Sequence, residues 1–216
     1  MEIGFSAGLV VLAYLLGSIP TGYLIGRWLG GLDIREHGSG STGATNVLRV
    51  LGKGPALFVF SVDLLKGVLA VFLARFYGSE LLPPDWVAWL VLLAALAALL
   101  GHSRSIWIQF TGGKSVATGL GVLLAMAWPV GLGALVSFLL VLALFRIVSL
   151  GSIMAAGVVV VLMVVTQQPL PYVLFGILGG LYVLLRHRQN IQRLVQGTEP
   201  RIGQKVQASE PLSVSE

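Results

Sequence analysis

The run VATGLGVLLAMAWPVGLGALVSFLLVLALF, residues 116–145, decides the topology of this chain. As one helix it would measure about 45 Å, well beyond a hydrocarbon layer of about 30 Å. Trp128-Pro129-Val130-Gly131-Leu132-Gly133 stands at its middle. Proline removes a backbone donor and clashes with the preceding turn, so the run is either one kinked span or a hairpin of two short ones, 116–128 and 130–145. Charge separates the two. With a hairpin, Lys114 and Arg146 fall on one membrane side, together with Arg27, Arg35, Arg49, Lys53, Arg104, Arg186, Arg188, Arg193, Arg201 and Lys205. The opposite loops, near 78–85, 129–133 and 167–169, then hold no Lys or Arg, and only Arg75 lies close by. That asymmetry marks the basic side as cytoplasmic.

The rest of the chain agrees with a membrane reading. Its 216 residues are 56% hydrophobic and only 11% charged, with mean hydropathy +0.91, against about 25% charged in a soluble domain. Further apolar segments lie at 4–30, 55–77, 86–100, 152–166 and 170–185. The expectation is an all-α polytopic membrane protein of seven transmembrane or half-spanning helices, N-terminus outside and C-terminus in the cytoplasm. Met1-Glu2 carries no basic residue, so the first segment reads as a retained span, kinked by Pro20. Its Ser18, Gly22, Gly26 and Gly30 form a small-residue stripe expected to let another helix approach. Residues 1–203 read as one domain, and 204–216 as a polar, disordered cytoplasmic tail.

Composition excludes several chemistries. Cysteine is absent, so there is no disulfide, thiolate ligand or cysteine nucleophile. His37, His102 and His187 are far apart and make no metal-binding spacing, and Asp33, Asp63 and Asp85 are dispersed rather than clustered for a metal. No metal and no cofactor is expected. Asp63 and Lys66, three apart within the second segment, read as a structural ion pair facing the bundle.

The proposed topology gathers the polar islands on one face. LDIREHGSGSTGATNVLR, residues 32–49, supplies Gly38, Gly40 and Gly43, the hydroxyls of Ser39, Ser41, Thr42 and Thr45, Asn46, and the guanidinium of Arg49. Glycine-rich backbone presents successive N–H groups to an anion, and arginine offers a planar fork to phosphate oxygens. A solvated linker is the competing reading. GHSRSIWIQFTGGKSVAT, residues 101–118, holds Gly112, Gly113 and Lys114. It is not a P-loop, since that pattern needs glycine where Ile108 stands. Lys114 reads as a point charge on phosphate or as a snorkelling helix-end lysine. FRIVSLGS, residues 145–152, offers Arg146 as an interfacial anchor, and Ser149 and Ser152 as ligand donors or caps. RHRQNIQRLVQGTEPRIG, residues 186–203, places His187 and Asn190 on one helical face, while Arg186, Arg188 and Arg193 suit anionic head groups. The islands lack a carboxylate pair. The shared ligand is anionic, phosphorylated and met at the membrane surface.

These islands, with GSIPTGYLIGRWLGG before them, resemble in order the bacterial acyl-phosphate-dependent glycerol-3-phosphate acyltransferases, the PlsY family, from about residue 17 to 203. The resemblance implies an integral-membrane acyltransferase of the bacterial inner membrane, its site facing the cytoplasm. It would move a fatty acyl group from acyl phosphate to the 1-hydroxyl of glycerol 3-phosphate, giving lysophosphatidic acid and phosphate, the first step of phospholipid synthesis. Its partners would be those substrates, membrane lipids and, by functional coupling, the enzyme that makes acyl phosphate; no nucleic acid is implied. Carried over residue by residue, Ser39, Arg49, Lys114, His187 and Asn190 are the expected catalytic set. Gly38, Gly40, Gly43, Thr45, Asn46, Gly112, Gly113 and Ser149 are the expected substrate-binding set. Three positions depart from the family pattern: Ser41 stands for an asparagine, Ser115 for a glycine and Ser105 for a common proline. The His-x4-Asp base of other glycerolipid acyltransferases is absent, since Thr42, Trp107 and Gln192 follow the histidines at that spacing. The rival class is a transporter of a phosphorylated solute, which calls for internal repeats around a midplane site; the sequence has no convincing repeat.

Overall fold

The structure, a computed structural model, describes residues 2–203, and every regular element among them is helical. The helices are α1 (Glu2–Ser18), α2 (Thr21–Gly30), α3 (Ala44–Leu51), α4 (Lys53–Leu81), α5 (Pro84–Ser103), α6 (Val116–Met126), α7 (Trp128–Phe145), α8 (Val148–Val165), α9 (Leu170–Arg186) and α10 (Arg188–Val195). Five apolar stretches are long enough to cross a bilayer, counting α1 and α2 as one, or up to six if the bent α9–α10 pair is a single span; α6, at 11 residues, is a shorter apolar helix. All seven segments expected from the sequence are thus helical, and the polar tail 204–216 lies outside the described residues.

The opening run is a hairpin. Helix α6 ends at Met126, the backbone of Ala127 leaves the helical region, and Pro129 sits in the first turn of α7, where its missing N–H costs nothing. The reversal is tight enough that a Cβ on Gly131 would lie 2.8 Å from the Leu124 nitrogen.

The first segment is one apolar stretch, Glu2–Gly30, interrupted at its proline as expected. Ile19 and Pro20 separate α1 from α2, and the ring leaves Pro20 without a donor while its carbonyl still accepts from Leu24 N. The expectation for the small-residue stripe needs correction: it meets something other than a helix along most of its length. Gly22 packs against the Thr42 carbonyl and Gly26 against Ile34, so the groove on α2 takes the 32–43 loop. Helix–helix contact falls instead at Gly17, whose absent side chain admits the Ala98 backbone of α5.

Helix α5 forms the most enclosed span, with Ala94, Ala95, Ala98 and Val91 fully buried against α1, α4 and α9. Helix α7 is the most outward, showing Leu140 and Leu144 to the surroundings, as a lipid-facing helix should. A second small core forms where α2, α3 and α4 meet: Ile25, Ile34, Val47, Ala56 and Val59 are buried together. The amphipathic α3 therefore lies on the bundle, and the first polar island is docked on packed side chains.

Candidate active site

The polar islands converge at one end of the bundle on a cavity of about 150 Å³. Its walls carry Ser39, Gly43, Thr45, Asn46, Arg49, Lys114, Ser149, His187 and Asn190, residues singled out from sequence. They come from the 37–43 loop, α3, the loop before α6, the first turn of α8, and the α9–α10 junction. The cavity also takes in Asp63, His102 and Glu199, which were not among the expected site residues.

The 37–43 loop is built around Asn46. The buried amide donates through Nδ2 to the carbonyls of Ile34, His37 and Ser41, and accepts from Ser39 N at 2.8 Å. Gly38 and Gly40 have φ of +61° and +68°, a conformation that costs glycine little. These contacts fix how Ser39 meets the cavity. Asn46 lies in the wall, with its amide engaged inside the loop. Gly38 and Gly40 do not line the cavity; they shape the turn. Arg35 fastens this loop to the next island: paired with Asp33 at 2.6 Å, it also donates to Thr111 Oγ1 and the Ile108 carbonyl. The side-chain hydrogen bond from Arg35 outweighs burial and lowers the Asp33 carboxyl to about 2.

Gly112 and Gly113 also lie outside the cavity wall, and the reason is packing. A Cβ on Gly112 would collide with the His102 carbonyl, and one on Gly113 with the His102 ring. The loop must press flat on His102, and Gly113 N donates to the His102 carbonyl at 3.2 Å. That seating delivers Lys114 to the cavity. Beneath it, His102 Nδ1 lies 3.6 Å from Asp63 Oδ1, which is 2.8 Å from Lys66 Nζ. The expected Asp63–Lys66 pair is present, buried, and extended by a histidine.

A chain of hydrogen bonds joins the remaining islands. Lys114 Nζ donates to Asn190 Oδ1, and Asn190 Nδ2 to Glu199 Oε1 at 2.6 Å. Ser149 Oγ donates to the same oxygen at 2.7 Å, and Arg193 Nε to Glu199 Oε2 at 2.7 Å. Burial alone would raise the Glu199 carboxyl, but hydrogen bonds from Asn190, Ser149 and Arg193 prevail and hold it below its ordinary value. Burial lowers the Lys114 ammonium to about 8, with Arg193, Arg49 and Arg186 adding to the effect and Glu199 opposing it. Glu199 carried a signal in the sequence: it is the one carboxylate in a stretch with Arg186, Arg188, Arg193 and Arg201.

The basic residues of the last islands are spent differently from expectation. Arg186 donates to the Gly113 carbonyl at 3.1 Å and Arg193 holds Glu199, so both act within the fold. Arg188 is exposed. Arg146 and Ile202 exchange hydrogen bonds, tying the segment that carries Glu199 to the loop before α8.

His187 stands where α9 and α10 bend by 64°. Its Nδ1 lies 2.8 Å from the Val183 carbonyl. A carbonyl only accepts, so Nδ1 carries the hydrogen and the neutral ring keeps a lone pair on Nε2. The side chain is buried and lines the cavity. Arg49 makes no hydrogen bond or ion pair among the described residues, and its exposed guanidinium is available to an anion.

An apolar groove of about 320 Å³ opens from the same place, running between α6, α7, α8 and α9. Phe60, Val116, Ala117, Phe138 and Ser152 wall both spaces. A small polar chamber joined to an apolar groove fits an amphiphile with a phosphorylated head.

Known proteins are similar to this chain in sequence and in fold. A family model described as glycerol-3-phosphate acyltransferase matches residues 7–197. The glycerol-3-phosphate acyltransferase of Trichormus variabilis is 60% identical over 214 residues, covering 94% of this chain and 95% of that protein. That of Synechococcus elongatus is 61% identical over 199 residues, covering 92% and 95%. The crystal structure of PlsY, an integral membrane glycerol 3-phosphate acyltransferase, in its glycerol 3-phosphate form superposes with a TM-score of 0.84 at 38% identity, covering 92% of this chain and 96% of that one. Its lysophosphatidic acid form gives 0.82 at 38% identity, covering 92% and 95%.

Proposed function

The chain belongs to the PlsY family of glycerol-3-phosphate acyltransferases, and on that premise we propose that it acylates the 1-hydroxyl of glycerol 3-phosphate from acyl phosphate, releasing lysophosphatidic acid and phosphate. The site would face the cytoplasm from a bacterial inner membrane, and the basic loops on its side of the chain support that orientation. The observation that carries the donor assignment is the junction of a cation-lined chamber with an apolar groove through shared walls. A fatty chain in the groove places its head among Arg49, Lys114 and the Ser39 loop.

The reaction asks for positioning more than for a strong base. The acceptor oxygen attacks the acyl carbon, the carbon–oxygen bond to phosphate breaks, and phosphate leaves with the bonding electrons. The hydroxyl proton passes to His187 Nε2 and from there to the departing phosphate or water. Arg49 and Lys114 neutralise the anions and hold them in line, and proximity of this kind contributes much of the rate in acyl transfers with a good leaving group. No covalent acyl-enzyme is required.

The test is product formation by purified protein from palmitoyl phosphate and glycerol 3-phosphate, with palmitoyl-CoA as parallel donor and Arg49→Ala and Lys114→Ala alongside. Equimolar lysophosphatidic acid and phosphate from acyl phosphate, lost in both variants, is expected. Product from the thioester alone would overturn the donor assignment.

A further inference from the structure

We infer that Gly119 and Gly176 are specificity-determining residues that set how long an acyl chain the groove admits. This rests on the acyl-donor reading above. The groove begins at the polar chamber, beside Val116 and Ser152, and ends on buried Leu123, Val159 and Phe175. Seven residues of helix separate Val116 from Leu123, and eight separate Val183 from Phe175, so the groove runs roughly 10–12 Å along the helices. An extended chain advances about 1.25 Å per carbon, so this depth takes on the order of eight to ten carbons.

Its width depends on small residues at different depths. Gly119 lies three residues, about 4.5 Å, below the mouth on α6. A Cβ there meets no atom within 4 Å, so a side chain at 119 would extend into open groove. Gly176 lies near the floor on α9, seven residues from Val183. A Cβ there makes ordinary contact at 3.4 Å with Met163 and Val159, so the backbone accepts one. Both glycines are within helices, where a leucine raises intrinsic helix propensity. Nothing in the hydrogen bonding of either position calls for glycine; at 119 the open groove in front of it does, whereas a side chain at 176 would press on Met163 and on Val159 of the groove floor.

The experiment measures kcat/KM for butyryl, octanoyl, dodecanoyl and palmitoyl phosphate in the full-length protein and in Gly119→Leu, Gly176→Leu and Gly157→Leu. Gly157 is exposed on α8, has open space around it and lies outside the groove. Gly119→Leu is expected to lower the palmitoyl-to-butyryl ratio by about 100-fold, the scale of discrimination that a few methylenes give in an apolar pocket. Gly176→Leu is expected to spare octanoyl phosphate and lower only the longer donors, and Gly157→Leu to leave the profile unchanged. An unchanged chain-length profile in Gly119→Leu, or an equal loss on every donor, would overturn the inference while leaving the acyl-phosphate reaction intact. Absence of turnover by the unaltered protein with any of these donors would overturn the donor reading and this inference with it.

Discussion

The Lys114 ammonium donates to Asn190 Oδ1 at 2.5 Å, so the loop before α6 and the first turn of α10 are locked through one hydrogen bond. Asn190 is held in turn by Glu199, which also collects Ser149 and Arg193. Glu199→Ala strips an acceptor from three donors at once, two of them on buried residues. A buried donor left unsatisfied costs about 1–3 kcal/mol. The expected result is a stability loss of about 3 kcal/mol by thermal unfolding in detergent, with kcat/KM down about 100-fold. Retention of both in Glu199→Ala would show that the network does not hold Lys114.

Lys114 predicts a pH dependence. Its ammonium, lowered to about 8 chiefly by burial, is charged below that pH and neutral above it. On the proposed mechanism the charged form is the one that holds phosphate. KM for glycerol 3-phosphate or acyl phosphate is therefore expected to stay flat from pH 6.5 to 7.5 and to rise as pH passes 8. Lys114→Arg keeps the charge across the range, because guanidinium titrates above about 12. KM-against-pH profiles of the two proteins decide it: the inflection near 8 should be present in the first and missing from the second.

Much of this architecture was legible in the sequence, and the exceptions are instructive. The hairpin at Pro129, the Asp63–Lys66 pair and the convergence of Arg49, Lys114, His187 and Asn190 followed from hydropathy, charge sidedness and motif order. What did not follow was the division of labour inside the loops. Gly112 and Gly113 read as a phosphate grip, yet the residue they accommodate is His102, ten positions upstream of the first glycine. Asn46 read as a ligand group, yet its amide is spent on Ile34, His37, Ser39 and Ser41. A glycine or an amide in a sequence reports a need for closeness or for hydrogen bonds, and only the fold says with which partner. The stripe on α2 shows the same limit, because a loop carbonyl satisfies small residues as well as a helix does.

Asn46 supplies a third prediction. Asn46→Asp keeps the acceptor for Ser39 N but turns an oxygen toward three carbonyls that now receive hydrogens. Repulsion and lost hydrogen bonds in a buried site are expected to cost about 3 kcal/mol or more. Titration with glycerol 3-phosphate by calorimetry should show weaker binding as Ser39 loses its support. Wild-type affinity in a folded Asn46→Asp protein would refute the brace.

The buried Asp63–Lys66 pair separates two kinds of stabilisation. Asp63→Asn leaves the Lys66 ammonium, only 4% exposed, without its carboxylate. Breaking a buried pair in this way costs about 3–5 kcal/mol, whereas replacing both partners by apolar groups of similar size is often near neutral. Asp63→Leu combined with Lys66→Met should therefore unfold closer to the unaltered protein than Asp63→Asn does. Thermal unfolding of the three proteins in one detergent makes the comparison, and a double variant less stable than the single one would count against it.

His187 carries the most consequential prediction, because the structure fixes its tautomer. With Nδ1–H given to the Val183 carbonyl at 2.8 Å, the Nε2 lone pair remains to accept the acceptor's hydroxyl proton. A positioned base of this kind contributes about 10²–10⁴-fold. His187→Gln removes a titrating nitrogen but keeps polarity and most of the volume. Its kcat is expected to fall at least about 100-fold with KM for glycerol 3-phosphate within about threefold, the mark of an interaction made in the transition state. If the leaving phosphate takes the proton directly, the same variant will lose less than about tenfold in kcat, and the role of His187 reduces to orienting the substrate. A solvent isotope effect on kcat, present in the unaltered protein and changed in His187→Gln, separates proton transfer from orientation.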